Sequence, residues 1–445
     1  DSLLGNWHYE VWDTKLSSKV KPTFVIQLCC YAEMLEAIQG VVPENIVVAL
    51  GNGEQKRLRT LDYLAYYRTI KQAFLNTQLE FDHTQQPDPA LSNQWANWSE
   101  YANQLLIERD HLSQVATITR SQIKKLEKAG ITTMQALAET DVQFVPGLQK
   151  EVLAQLKAQA SIQKLSEGKP VPEFIIKTNP DNPKQGLSLL PPHSINDVFF
   201  DIEGYPLDDG GLEYLWGNTY FDEQGARQFK DFWAHNPEEE KVCFQSFIQW
   251  VYERWQADPS MHIYHYANYE IAACKKLMSR YGVCETEVDE LLRNEVFVDL
   301  YKIVKGGMLL GEPRYSIKNV EHLYRGKRET EVGNGGESVV VYEQWRELNQ
   351  RGEEGYTWET SKILNDIRKY NIDDCESTQE LVEWLRTQQR IHNIEYLGRT
   401  EPVDTELSEE VTQRNELCEK LLKRADEESE NQHPLADLTK NLAHV

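Results

Sequence analysis

The stretch Asp197–Gly204, DVFFDIEG, sets two carboxylates two residues apart at the end of an apolar run. On a strand, residues i and i+2 project to the same side. Asp201 and Glu203 therefore stand together, while Val198, Phe200 and Ile202 face the other way. Like charges beside each other on one sheet face repel, so the pair either hangs in water or has something positive between its members. Further along, Ile363, Ile367, Tyr370, Leu381 and Leu385 recur at helical spacing and define an inward stripe. Asp374 falls on that stripe one turn after Tyr370, whereas Asp373 points about a quarter-turn away toward solvent. A carboxylate in a buried stripe needs a cation, a hydrogen bond or a shifted pKa, and a plain Asp–Arg pair would also satisfy it. Glu270, Cys274, Leu277 and Tyr281 share a face at i, i+4, i+7 and i+11, which starts another inward stripe on an acid. The helix dipole alone also favours an acid in a first turn.

Asp201, Glu203, Glu270 and Asp374 together suit two hard divalent cations bound through oxygen, Mg²⁺ or Mn²⁺. Two such ions about 4 Å apart activate a water and stabilise the leaving oxygen of a phosphodiester. Tyr370 is placed to hydrogen-bond the attacking water or the scissile phosphate.

Such a site needs one strand and two helices brought to one place. Residues 190–388 read as three strands (DVFFDIEG, LEYLWGNTYF, ARQFKDFWAH), a long helix, a fourth strand MHIYHY and a helix NYEIAACKKLMSRYG. VFVDLY, a glycine-rich excursion near 326–336 and a final helix from about 360 to 386 follow. That order predicts an α/β fold with an RNase H-like mixed sheet in preference to a doubly wound parallel one. Residues 1–90 alternate strand, helix and strand. Residues 108–165 read as short helices broken by AGITT and VPGL around a small core of Leu126, Ile131, Leu137, Val145, Leu148, Val152 and Leu156. Helix, glycine turn, helix outlines a helix-hairpin-helix, whose backbone amides can hold a phosphate; a plain helical spacer has the same outline. Residues 166–189 are rich in Pro, Asn and Gly and read as a linker. Residues 389–445 read as a charged helical tail leading to a missing domain.

With 445 residues, 40% of them apolar, the chain exceeds one ordinary core. It has no apolar run of membrane length, so no membrane partner is expected. Seven scattered cysteines without a CxxC pair suggest reduced thiols and a cytoplasmic protein. The net charge of −24 argues against indiscriminate nucleic-acid binding while leaving room for a local site, since metal ions can supply the positive charge at a phosphate.

FFDIEG resembles the first motif of the DEDD 3′–5′ exonucleases, and YNIDDCEST resembles the third motif, Tyr-x-x-x-Asp, of their tyrosine subclass. Within that superfamily the span is most similar to the YprB-type domain, with YHYANYE, FVDLY and YSIKNVEHLY in matching places. The resemblance implies that Asp201, Glu203, Glu270 and Asp374 hold the metals and that Tyr370 is catalytic. This chain departs from the pattern at the second motif, where the family usually has Asp and Glu270 stands here. Asp299 in FVDLY competes for the same role. YEVWDTKL followed by QLCCY resembles the RecB-like branch of the PD-(D/E)xK nucleases, which implies a second site at Asp13, Lys15, Gln27 and Tyr31. That family's other metal-binding acid lies upstream and has no assigned counterpart here, in keeping with a truncated region; the chain opens on Asp1, not Met. Proteins joining these parts often continue into a superfamily 1 helicase, which would begin near LADLTKNLAHV. Relatives carry iron–sulfur cysteines before the helical segment. NQWANWSEYANQLLIE has none, so no cluster is expected and Trp95 and Trp98 are expected to supply packing instead.

The expected function is a divalent-metal-dependent 3′–5′ exonuclease acting on DNA, in repair, recombination or defence. The rivals are a catalytically weak nucleic-acid scaffold for a helicase, and a ribonuclease, because nothing in the sequence reports on the 2′-hydroxyl. Paired carboxylates also serve glycosidases, but the motif spacing and Tyr370 are not expected there.

Overall fold

A computed structural model describes residues 2–51, 53–92, 94–178, 183–208, 210–326, 335–398, 420–424 and 427. The helix expected for the tail lies largely outside them, as does most of the glycine-rich excursion. No helix among the described residues is long and apolar enough to cross a membrane.

The N-terminal part runs β1 (Val11–Lys15), α1 (Pro22–Gln39), β2 (Asn45–Leu50), β3 (Gln55–Arg59) and α2 (Leu61–Leu79). β1 lies parallel to β2, and β3 returns antiparallel. Pro22 opens α1, where its missing N–H is no loss. Gly40 closes α1 in the left-handed conformation at φ 73°. Val11, Leu28, Cys29, Ile46, Val48 and Leu64 make the core between this sheet and its helices.

Short helices follow: α3 (Ser99–Glu108), α4 (Arg120–Lys128), α5 (Met134–Glu139) and α6 (Lys150–Ser166). Thr119 and Gln122 form a reciprocal capping box on α4. Six of the seven expected core positions here are buried, and Val152 is half-buried. Trp98 does not pack as expected: it is 71% exposed at the start of α3, with only an edge-on approach to the Tyr101 ring at 6.5 Å as a ring contact among the described residues. Trp95 instead donates its indole N–H to the Pro89 carbonyl. The segment read as a linker is partly ordered as β4 (Phe174–Ile176), which pairs antiparallel with a later strand, Met308–Leu310. Ile175 and Ile176 give it the β-branched character that the surrounding Pro and Asn hide in a composition count.

The larger part holds β5 (Val198–Tyr205), β6 (Leu212–Phe221), β7 (Arg227–Trp233), α7 (Pro237–Ala257), β8 (Ile263–His265), α8 (Tyr269–Tyr281), α9 (Glu285–Arg293) and β9 (Phe297–Asp299). After these come α10 (Leu300–Gly307), β10 (Met308–Leu310), α11 (Ile317–Val320), α12 (Gly335–Gln350) and α13 (Lys362–Ile391). The sheet order is β7-β6-β5-β8-β9, with β7, β6 and β5 antiparallel and β5, β8 and β9 parallel.

The alternation in β5 builds two cores. Val198, Phe200 and Ile202 meet Phe244, Phe247 and Ile248 of α7 and Cys274 and Leu277 of α8. Phe199 points the other way, into a cluster with Leu381, Val382 and Leu385 of α13. Asp201 and Glu203 continue the Phe199 side, so the strand's own period delivers them to α13. α13 starts on Ser361, whose hydroxyl accepts from the Leu364 amide. At its far end Arg386 holds the fully buried Asp197 at 2.9 Å, just ahead of β5.

Candidate metal centre

Asp201, Glu203 and Asp374 come together. One carboxylate oxygen from each lies within 4.8 Å of the others, and they are the one such three-acid group among the described residues. Asp201 and Glu203 come from β5 and Asp374 from α13, which crosses that face of the sheet. Glu203 is 6% exposed. Burial pushes its carboxyl up to about 8; the Ser338 hydrogen bond opposes the rise and the charge of Asp374 reinforces it. Three crowded carboxyls, one of them driven toward its protonated form, make a donor set that a divalent cation relieves. The residues present thus fit a hard, oxygen-liganded ion.

Tyr370 sits one turn before Asp374 on α13 and is 4% exposed. Burial, then the charges of Asp374, Glu203 and Asp201, holds its phenol far above the usual range, so it stays a hydrogen-bond donor. The Lys318 ammonium stands 5.3 Å from its ring centroid. Asp373, expected in solvent, is instead half-buried like Asp374, because Arg325 covers it with an ion pair at 3.0 Å.

Glu270 and Asp299 stand outside the three-acid group. Glu270 is 4% exposed at the start of α8, with an oxygen 3.3 Å from His265 Nδ1. The rest of its stripe, Cys274 and Leu277, packs against the opposite sheet face from α13. Asp299 ends β9 and caps α10: its Oδ1 accepts from the amides of Ala267 and Tyr301, each at 3.0 Å.

Three contributors escaped the reading by motif. Asn371 is fully buried and donates from Nδ2 to Asp201 Oδ2 at 2.8 Å. Gly217 on β6 pairs with Asp201 in register, and a Cβ there would fall 1.6 Å from the Asn371 carbonyl oxygen. The glycine is what admits Asn371 to the site. Ser338 of α12 donates to Glu203 at 2.7 Å. Asn371 had a usable signal, since a polar side chain three residues before Asp374 shares its helix face. Ser338 had none, because α12 follows a glycine-rich stretch that reads as a loop.

In the N-terminal part the four singled-out residues form one chain of contacts. Lys15 Nζ lies 2.8 Å from Asp13 and donates to Gln27 at 2.6 Å. Gln27 in turn donates to the Tyr31 hydroxyl at 2.7 Å. The i, i+2 spacing on β1 and the i, i+4 spacing on α1 produce this alignment.

Residues 198–386 match the RNase_H_2 model of the RNase_H superfamily. The matched span begins on β5 and ends inside α13, so it encloses Asp201, Glu203, Tyr370 and Asp374. Neither curated proteins nor solved structures gave a match. The mixed sheet and its flanking helices agree with an RNase H-like domain, and the match over residues 198–386 suggests a nuclease-type hydrolase that binds nucleic acid. Nucleases of this kind use divalent metals, and the carboxylate group supplies a place for them.

Proposed function

We propose that this protein is a 3′–5′ exonuclease that hydrolyses DNA phosphodiester bonds with divalent metal ions held by Asp201, Glu203 and Asp374. The observation that carries the reading is the convergence of those three carboxylates beside a protonated tyrosine inside the matched domain. Mg²⁺ or Mn²⁺, as a pair, would supply the charge that acidifies a water and stabilises the departing oxygen. Asn371 keeps Asp201 oriented, and Ser338 does the same for Glu203. Tyr370 donates its O–H to the attacking water or a phosphate oxygen, a role its raised pKa preserves across the neutral range. Glu270, buried beside His265, would complete the ligand set by turning toward the three acids, with Asp299 retained as the cap of α10.

A place in DNA repair, recombination or defence, ahead of a helicase domain, belongs to the same reading, as does a second PD-(D/E)xK-type centre at Asp13, Lys15, Gln27 and Tyr31. The three-acid group lacks Glu270, which favours one alternative, a catalytically weak nucleic-acid-binding scaffold.

The test is release of nucleotides from 3′-labelled single-stranded DNA and RNA with Mg²⁺ or Mn²⁺, beside Asp201→Asn and Asp374→Asn. Loss of an ion's several kcal/mol predicts a fall in kcat of at least about 10³-fold in each variant. Equal rates in wild type and variants refute the centre; preference for the RNA strand replaces the DNA assignment with a ribonuclease.

A further inference from the structure

A cleft of about 1000 Å³ opens away from the carboxylate centre, between α6, β4 and α10. Its walls carry Lys177, Lys184, Lys302 and Lys305, and none of the described residues lining it is acidic. In a chain of net charge −24 this is a marked local reversal of sign. Among the described residues, Lys302 alone of the four has a carboxylate within ion-pair distance, Asp299 at 3.5 Å, and its side chain remains 70% exposed. Lys177 has a structural job, donating to the Lys305 carbonyl at 3.0 Å near the end of α10. The other three lysines are exposed.

An aromatic ring joins the lysines. Tyr301 lines the same cleft, with the Lys305 ammonium 5.4 Å from its ring centroid and the Tyr266 ring edge-on at 5.8 Å. A cationic groove with an aromatic platform is what single-stranded nucleic acid needs: amines for phosphates and a ring face for a base. The sheet relates this cleft to the centre. Asp299 on β9 pairs with His265 on β8, and Tyr264 on β8 pairs with Phe199 on β5. At about 4.8 Å per strand, Asp299 lies about 10 Å across the sheet from the level of Phe200, the residue before Asp201. α10 carries Tyr301, Lys302 and Lys305 onward from that point.

We propose that the cleft between α6, β4 and α10 binds the phosphate backbone of a single-stranded nucleic acid, holding substrate a few nucleotides away from the carboxylate centre. The proposal rests on the nuclease reading for the strand's role as substrate, but its binding test is independent of cleavage. Fluorescence anisotropy of a labelled single strand of about 20 nucleotides, with the full chain in EDTA over a salt series, reads the cleft alone. Three lysine–phosphate contacts at about 0.7 per contact give a salt slope near 2. Lys184→Gln/Lys302→Gln/Lys305→Gln should remove that slope and weaken binding about 100-fold at 0.1 M salt. A charge-matched control, Lys241→Gln/Lys275→Gln/Lys362→Gln, should keep the slope. Equal affinity and slope in the two triple variants overturn the proposal. So does competition by inorganic triphosphate as strong as that by the oligonucleotide, which would mark a small-anion pocket. Cleavage of a trinucleotide should survive in the cleft variant. Wild type that binds with the lysine-dependent slope yet cleaves nothing sinks the nuclease reading and leaves the cleft standing.

Discussion

Gly217 and Asn371 form a lock whose strength can be measured by a double-mutant cycle. A Cβ at 217 would stand 1.6 Å from the Asn371 carbonyl oxygen and 2.9 Å from the Phe229 ring, so Gly217→Ala must expel the Asn371 side chain. Asp201 then loses its 2.8 Å hydrogen bond. A hydrogen bond to a charged group is worth about 1.5–3 kcal/mol, and overpacking adds about 1–3 kcal/mol. Gly217→Ala should therefore destabilise by about 3–5 kcal/mol. Asn371→Ala removes the same bond and vacates the volume the new methyl needs, costing about 2–3 kcal/mol. In the double variant the methyl fills that space and the bond is lost only once, which predicts a favourable coupling of about 2 kcal/mol. Urea denaturation of the four proteins gives the cycle for stability, and initial rates of nucleotide release give it for activity. Each single variant should lose about 10- to 100-fold in rate, and the double no more than Asn371→Ala alone. Additive effects within about 0.5 kcal/mol would show that Gly217 does not act through Asn371 and would sink the argument.

Arg386→Ala leaves the fully buried Asp197 without its cation, and should cost about 3–5 kcal/mol by denaturant midpoint; a loss below about 1 kcal/mol would show that α13 is not pinned there. Tyr370→Phe removes only a hydroxyl, so kcat should fall about 10²-fold with little change in melting temperature; an unchanged kcat removes Tyr370 from the chemistry. Burial pushes His235 and His262 each down to about 4, against the weaker pull of Glu239 on His235. Both fold as neutral rings, so their stability contribution is complete above pH 6.5 and drains away as pH falls toward 4. Allowing for partial exposure, the loss should reach about 2 kcal/mol per ring; His235→Phe should flatten part of it, and an identical pH profile for that variant would refute the assignment.

Much of the centre is written in short-range pattern. The period of two in β5 sends Asp201 and Glu203 to the side opposite Val198, Phe200 and Ile202, and the period of α13 turns Tyr370 and Asp374 inward with Ile367 and Leu381. The same logic aligned Asp13 with Lys15 and Gln27 with Tyr31, residues close enough in sequence for local geometry to decide who meets whom. That each apolar face would be buried also followed, because apolar stripes must pack against something.

Choice of partner was a tertiary matter. Glu270 had the inward position its stripe predicts, yet whether its oxygens meet a metal ligand set or His265 depends on where the end of β8 lies relative to α8. Asp299 occupies a cap because α10 begins directly after β9, a helix start that FVDLY does not announce. Asn371 reaches Asp201 across 170 residues only because β6 registers a glycine opposite that aspartate. Ser338 reaches Glu203 only because α12 packs beside β5. The lysine cleft needs α6, β4 and α10 from three distant stretches, with β4 docked on β10. Sequence by itself determined which side chains are acidic, apolar or inward-facing, because those properties follow from residue type and backbone period. Tertiary structure alone decided their partners, because a hydrogen bond or a shared charge exists only at contact distance, and that distance is set by strand register and helix packing.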